Sequence, residues 1–295
     1  MDFLKKDIVP LTAEAWEELE NEARDVLTQK LSARRVVDVE GPLGWKVHSV
    51  GLGRLGSTKT REGVAYGLRQ SLPMVELRVP FTLNLWNMDN IARGDEAADL
   101  DNLDEAALAL AKFEDEAVYR GLAEAHVQGL LTDPEIAPIT VSGGTAAEFA
   151  NDLPRALGEA MEQLKDNLVT GPYVLVASTE LWKLIVADNG HVDCGYRYPL
   201  RRHIEETMGI QIVRSPQVDV NCLVSTRGGD FVLTLGQDAA LGYESRTDKD
   251  LKLYLTETFT FRVNSPEAVV PLTLKAPGSK PAKKAVAKKV SAKKA

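Results

Sequence analysis

The sequence predicts an α+β fold, and three observations carry that expectation. Apolar residues recur at helical spacing over 13–36 and again over 103–122. They recur at period two over 251–263. Helices and strands do not alternate as regular β-α-β units, which argues against a doubly wound sheet. The chain has 295 residues, enough to bury about three quarters of its unfolded surface. Its hydrophobic content of 44% and charged content of 26% are those of a globular protein. They exclude collagen, wholesale disorder and a disulfide scaffold.

Over 13–36, Trp16, Leu19, Ala23, Leu27 and Leu31 fall three or four residues apart and share one helix face. Thr12 is placed to cap this helix, and Glu14 sits in the first turn, where the dipole favours an acid. The face enters the core, or part of it forms a docking groove. Residues 36–39 read as a short strand, stopped by the turn signal Gly41-Pro42-Leu43-Gly44. Two extended arms over 45–69 flank the polar stretch Gly51-Leu52-Gly53-Arg54-Leu55-Gly56-Ser57-Thr58-Lys59-Thr60, which predicts a long, mobile hairpin. Residues 75–85 form a further extended stretch, broken at Pro80. In the helix over 103–122, Leu103, Ala107, Leu110, Phe113 and Ala117 make the apolar stripe. Asp104, Glu105, Glu114, Asp115 and Glu116 lie mostly off it and read as a solvated or subunit-contact face rather than a metal site.

Thr145-Ala146-Ala147-Glu148 matches a capping box. Leu153, Leu157, Ala160, Leu164 and Leu168 continue a helical face, with Pro154 expected in its first turn. A buried strand at 173–177 and a short helix at 180–187 follow. Residues 188–198 are a polar loop, and 200–208 another helix. Strands are expected at 210–214, 220–226, 231–235 and 251–263. In the last, Leu251, Leu253, Leu255, Phe259 and Phe261 share a face on which Glu257 is the one charged residue. Arg227-Gly228-Gly229-Asp230 has the composition of a hairpin turn.

Lys and Arg number 35 against 43 Asp and Glu, a net charge of −8, but the signs are divided along the chain. From Lys275 to the last residue, Ala295, there are 8 Lys and no acid. The 274 residues before hold 27 basic and 43 acidic side chains, a net −16. The tail over 275–295 lacks the apolar residues to fold alone. Its composition suits polyanion binding by counterion release, and equally a solubilising role. Cys194 and Cys222 are too few for a disulfide framework and fit a reducing cytosol. No apolar run approaches the ~18 residues of a membrane span, and Met1-Asp2-Phe3-Leu4-Lys5-Lys6 leads into no apolar signal core. A soluble, cytoplasmic protein is expected.

The catalytic motifs are weak. Gly51-x-Gly53-x-x-Gly56 spells a dinucleotide fingerprint, but no helix follows to hold a pyrophosphate. His191, Cys194 and His203 match no zinc spacing. Walker, Gly-x-Ser-x-Gly and His-Glu-x-x-His motifs are absent. Trp86, near Asn84 and Asp89, has the chemistry to stack a planar cofactor such as flavin, although an interface or core tryptophan is the simpler reading.

A set of blocks resembles the encapsulins, the linocin-type shell proteins of bacteria and archaea. They begin with Asp2-Phe3-Leu4-Lys5-Lys6, Val9-Pro10-Leu11-Thr12 and Arg34-Arg35-Val36-Val37-Asp38-Val39-Glu40-Gly41-Pro42. They continue through Gly67-Leu68-Arg69-Gln70-Ser71-Leu72-Pro73, Phe113-Glu114-Asp115-Glu116 and Arg227-Gly228-Gly229-Asp230-Phe231. The last are Leu235-Gly236-Gln237-Asp238, Leu241-Gly242-Tyr243 and Thr256-Glu257-Thr258-Phe259-Thr260-Phe261. Each block is weak alone; in this order they are specific, and only the Lys tail falls outside the pattern.

The resemblance implies a tailed-phage capsid fold of the Hong Kong 97 type and a closed icosahedral shell of about sixty identical subunits. It implies an N-terminal helix and arm over 1–44 and an extended loop over 45–69. A peripheral domain would take 70–135 and 225–274, and an axial domain 136–224. The shell would enclose a cargo enzyme, a ferritin-like iron-storage or iron-oxidising protein or a dye-decolorising peroxidase, docked by a C-terminal targeting peptide. For that peptide the resemblance points to Leu27, Leu31, Arg34, Asp38, Asp238 and Leu241, with Arg34 and Asp38 equally able to pair with each other. For a five-fold pore it points to Asn189, His191, Asp193 and Tyr196. The Lys tail would coat the exterior. Two alternatives stand beside this: a hydrolase- or bacteriocin-type activity, for which no nucleophile–base pair speaks, and a polyanion-binding capsid, against which the acidic body argues.

Overall fold

The computed structural model describes residues 3–275 apart from 96, 133–134, 143–145, 188–189 and 194–195; at 146–147, 190–193 and 196–198 it gives the backbone alone. The N-terminal amphipathic stretch forms helix α1 (Ala13–Lys30). Thr12 caps it, its hydroxyl accepting from the Ala15 amide at 3.2 Å. The helix stops at Lys30 instead of reaching 36 because the following amides leave the helical ladder. Ser32 N and Ala33 N donate to the buried Asp115 carboxylate at 3.1 and 2.9 Å. A 3-10 turn (Ala33–Arg35) comes next, so the strand expected at 36–39 is displaced to β1 (Asp38–Glu40).

The glycine-rich stretch is a long hairpin of β2 (Ser49–Leu55), β3 (Lys59–Arg61), β4 (Val64–Tyr66) and β5 (Arg69–Pro73). β2 pairs with β5 and β3 with β4, both antiparallel, so the returning arm runs on to Pro73. β6 (Val75–Asn84) continues through Pro80 without a break. Among the described residues it pairs only with one neighbour, and an edge strand tolerates a missing amide. Asn84 caps the short helix α2 (Leu85–Ile91). Helix α3 (Asp101–Arg120) buries Leu103, Ala107, Leu110 and Ala117 as its stripe predicts, but Phe113 is 39% exposed. Glu114 and Asp115 are fully buried instead, contrary to the solvated face expected of these acids. Glu114 lies four residues beyond Leu110, and so on the stripe itself.

β7 (Ile139–Ser142) is too short for its alternation to stand out in the sequence. In helix α4 (Ala146–Asp166), Pro154 is the ninth residue, not part of the first turn. The helix extends back over the buried Phe149 and Ala150, whose packing outweighs the lost amide; Thr145 lies outside the described residues. β8 (Tyr173–Ser178) and α5 (Thr179–Val186) agree with expectation. Part of the loop expected at 188–198 is paired, as β9 (Gly190–Asp193) with β10 (Tyr196–Pro199). The helix expected at 200–208 is a turn, α6 (Leu200–Arg202), continued by a π-helical segment (His203–Thr207). The rest is β: β11 (Ile210–Ser215), β12 (Cys222–Ser225), β13 (Phe231–Leu235), β14 (Ala240–Arg246), β15 (Asp250–Val263) and β16 (Val269–Lys275). β14 and β16 go beyond the strands expected.

Two five-stranded sheets organise these elements. The first runs β1-β13-β15-β14, with β6 on the other side of β15. Helix α3 lies on β6 and β15, and α1 on α3. The second runs β11-β8-β12-β16-β7, with α4 against β7 and α5 against β8 and β11. β16 therefore belongs to the second sheet, away from the 225–263 strands that precede it. β8 and β12 are buried nearly throughout, which is why they read as unbroken apolar runs.

Between α3 and β7 the chain folds back onto the helix end. Leu130 N and Leu131 N donate to the Val118 and Tyr119 carbonyls at 2.8 and 2.9 Å. A Cβ at Gly129 would stand 2.1 Å from the Gly121 amide nitrogen. Gly129→Ala should therefore lower stability by about 1–3 kcal/mol, seen as an earlier midpoint in chemical denaturation; a midpoint equal to wild type would contradict this close approach.

Candidate functional site

The apolar face of α1 is buried in the core, and its C-terminal part also borders a groove. Its Ala23, Leu27 and Leu31, four residues apart, form one side of a groove of about 480 Å³. Leu241 on β14 and its register partner Leu255 on β15 form the other. The rim carries Lys6, Glu20, Arg24, Arg35 and Asp238. A concave, mostly apolar surface with a few polar groups is the usual form of a binding site. Lys6 bonds Glu20 at 2.5 Å and lies over the Trp16 ring, so the N-terminal segment is fastened to α1 at this rim.

Arg34 stands at the inner end. Its Nε and Nη2 donate to Glu114 at 2.9 and 2.6 Å, its Nη1 to Asp238 at 2.9 Å, and its Nη2 also to Glu257. Burial works against the guanidinium's charge, but Glu114, then Glu257 and Asp238, raise its pKa. Burial also pushes Glu257 well above the ordinary glutamate range, with the Glu114 charge acting the same way and Arg34 opposing. Next along α3, burial raises Asp115 to about 6 against the bonds it accepts from Ser32 and Ala33. Ser32 Oγ donates to Asp115 at 2.6 Å and contacts Tyr119 Oη at 3.0 Å.

Of the six residues the resemblance points to for a peptide, Leu27, Leu31, Arg34, Asp238 and Leu241 line this groove together. Asp38 does not. It borders a smaller cleft of about 120 Å³, where it accepts from Gly229 N at 2.5 Å. The pairing of Arg34 with Asp38 left open by the sequence is replaced by pairing with Glu114, Asp238 and Glu257, since the fork of Arg34 points toward α3 and β15.

Asn189 lies outside the described residues. His191, Asp193 and Tyr196 fall on the β9–β10 pair, where Asp193 and Tyr196 are register partners. Trp86 is 69% exposed in the first turn of α2, so it is not a core residue, and it does not line the groove. Cys194 lies outside the described residues, and among those described no group of three or more His, Cys, Asp and Glu could hold a metal ion. Nor is any described helix long and apolar enough to cross a membrane.

Sequence reasoning missed Glu114, Arg35 and the Lys6–Glu20 pair. A signal existed for the first, because Glu114 continues the apolar spacing of α3. For Glu257 the signal was noted, a lone charge on the apolar face of a strand.

A family model described as Linocin_M18, encapsulating protein for peroxidase, matches residues 1–260. The type 1 encapsulin shell protein of Rhodospirillum rubrum is 39% identical over 286 residues, covering 92% of this chain and 96% of its own. That of Mycobacterium tuberculosis is 35% identical over 274 residues, covering 92% of this chain and 100% of its own. Among solved structures, the virus-like particle from Pyrococcus furiosus matches with a TM-score of 0.62 at 16% identity, over 88% of this chain and 100% of that one. The capsid of Myoviridae phage XM1 matches with a TM-score of 0.56 at 14% identity, over 83% and 92%. At such identities the likeness bears on the fold alone, and the fold is the Hong Kong 97 type of phage capsids.

The buried Asp115 gives a pH dependence with a definite sign. Its proton is held to about 6 in the folded chain, against an ordinary value of 3.8. Between these values the folded state binds more protons than the unfolded one, so this group's contribution to stability falls as pH rises from about 4 to about 6. Asp115→Asn should flatten that slope while costing about 1–3 kcal/mol at neutral pH, since one amide oxygen replaces two acceptors for Ser32 and Ala33. Denaturation midpoints of both proteins across this range check it; parallel curves would count against the assignment.

Proposed function

The chain belongs to the Linocin_M18 family of encapsulin shell proteins, and from that premise we propose that its shell holds a cargo protein whose C-terminal targeting peptide lies in the groove between α1 and the β14–β15 ladder. It is a shell protein rather than an enzyme, and copies of it form a capsid-like compartment. The observation that carries the docking reading is the convergence of Leu27, Leu31, Arg34, Asp238 and Leu241 on one groove. The apolar floor would receive aliphatic side chains, and the half-exposed Asp238 a polar flank. Arg34 would act by holding Asp238, its donors being already engaged. Between a ferritin-like iron protein and a dye-decolorising peroxidase as cargo, the family's description as an encapsulating protein for peroxidase favours the second.

The hairpin β2–β5 supports self-assembly. Leu55, Val64, Tyr66 and Leu68 are exposed along it, and unpaired strand edges with apolar side chains invite a neighbouring chain. In a closed shell of about sixty copies each arm would be covered by the next subunit. The exposed Trp86 suits a second such contact. The two sheets would form a peripheral and an axial domain, with Asn189, His191, Asp193 and Tyr196 around a five-fold pore. A cytoplasmic compartment fits the free, buried thiol of Cys222. The Lys tail supports a further contact: the relatives are covered to 96% and 100% of their length by 92% of this chain, and the remainder is about as long as the tail. It would bind polyanions weakly per subunit and strongly by multivalency.

Thr28 is exposed on the groove rim. Thr28→Trp should fill the groove without touching the core, leaving shells that assemble to megadalton size but carry at least about tenfold less co-purifying cargo. Cargo at wild-type levels in that variant would sink the docking reading. Deleting residues 276–295 should abolish salt-sensitive retention of the shells on heparin, and unchanged retention would refute the tail's role.

A further inference from the structure

Beneath the groove the charges do not balance. Arg34 meets three carboxylates, Glu114 from α3, Glu257 from β15 and Asp238 from the turn before β14. Among the described residues no second cation bonds any of the three. Leu77, the β6 residue opposite Glu257, brings no charge, and Asp115 is occupied by Ser32 and Ala33. Glu114 and Glu257 are fully buried and bond the same guanidinium nitrogen, Nη2. One cation cannot neutralise both and Asp238 as well, and a buried carboxylate without compensation gives up its charge. Glu257 Oε2 is buried with no partner. As a bare carboxylate oxygen it would be stranded; protonated, it becomes a donor.

We propose that Glu257 holds a proton beside the Glu114 carboxylate, with which it shares Arg34 Nη2, and that Glu257 is through this proton a positioning residue for the groove. The proton leaves Arg34 free to hold Asp238. Its loss to solvent draws the guanidinium inward and releases the wall at 237–241. Burial and the Glu114 charge keep the proton well past the pH at which an ordinary glutamate ionises, so release comes as pH rises. The consequence for cargo rests on the docking reading above; the proton does not.

Hydrogen exchange in the assembled full-length protein reads the wall directly, because Ala239 N bonds Asp238 Oδ1 at 2.8 Å and Gln237 N bonds Thr258 Oγ1 at 2.7 Å. Protection of 237–241 should fall at least about tenfold as pH rises through the titration in wild type, and stay level in Glu257→Gln, which keeps a neutral side chain. At a pH above the value of about 6 at which Asp115 ionises, an infrared band of a protonated carboxyl group should be present in wild type and lost in the same variant. An equal fall in both proteins, or a band that survives Glu257→Gln, overturns the proposal. If Glu257→Gln does not assemble, Asp238→Asn serves, since it removes the charge Arg34 holds but leaves the proton. The band should then persist, and its loss would overturn the proposal equally. Measured on cargo-free shells, the exchange and the band read the proton without an occupant; if both behave as expected there while Thr28→Trp leaves cargo content at wild-type levels, the docking reading fails and the proton stands.

Discussion

One guanidinium joins parts of the chain that are remote in sequence. Arg34 bonds Glu114, Asp238 and Glu257, which are 80, 204 and 223 positions away. Its contacts form only when α1, α3 and the first sheet have come together. Removing the guanidinium from such a buried set costs about 3–5 kcal/mol, because the buried carboxylates left behind have lost their partner. The neighbouring carboxylate on α3 decides where α1 ends, since Asp115 takes the amides that would have carried the helix on. Two adjacent acids on one helix thus set the end of α1, the inner wall of the groove and the position of the turn before β14.

The groove and the hairpin place two different demands on apolar surface. The groove keeps Leu27, Leu31 and Leu241 nearly buried in the isolated subunit. An occupant would then add contacts to a surface that is stable without it. The hairpin leaves Leu55, Val64, Tyr66 and Leu68 in water, which a lone soluble chain gains nothing from. On the proposed reading, subunit assembly and cargo docking would be separable in energy as well as in place.

Much of the fold was legible because its signals are local. The cap at Thr12, the stripes of α1 and α3 and the period-two face of β15 all depend on neighbouring residues, whereas Arg227-Gly228-Gly229-Asp230, expected as a hairpin turn, instead carries the chain from β12 of the second sheet to β13 of the first, two strands that do not pair. What was hidden depends on partners far along the chain. The end of α1 could not be seen without Asp115, nor the burial of Glu114 without Arg34. β14 runs from a buried start into the exposed Glu244-Ser245-Arg246 without a clean alternation, and β16 contains Pro271, which lowers any strand signal although the residue sits opposite Cys222 in the ladder. For the groove, the apolar residues were legible through the family resemblance. The role of Arg34 was not, because its partners fill every direction in which it might have met a peptide.

The order of strands in the second sheet carries a consequence for synthesis. β16 lies between β12 and β7, so an internal strand is supplied by residues 269–275. A ribosome that has made everything up to residue 265 has made a sheet with a gap, and β7 with nothing to pair against. The second sheet is closed only once the chain has been made through residue 275, so its last strand to emerge is also the one that joins its two halves.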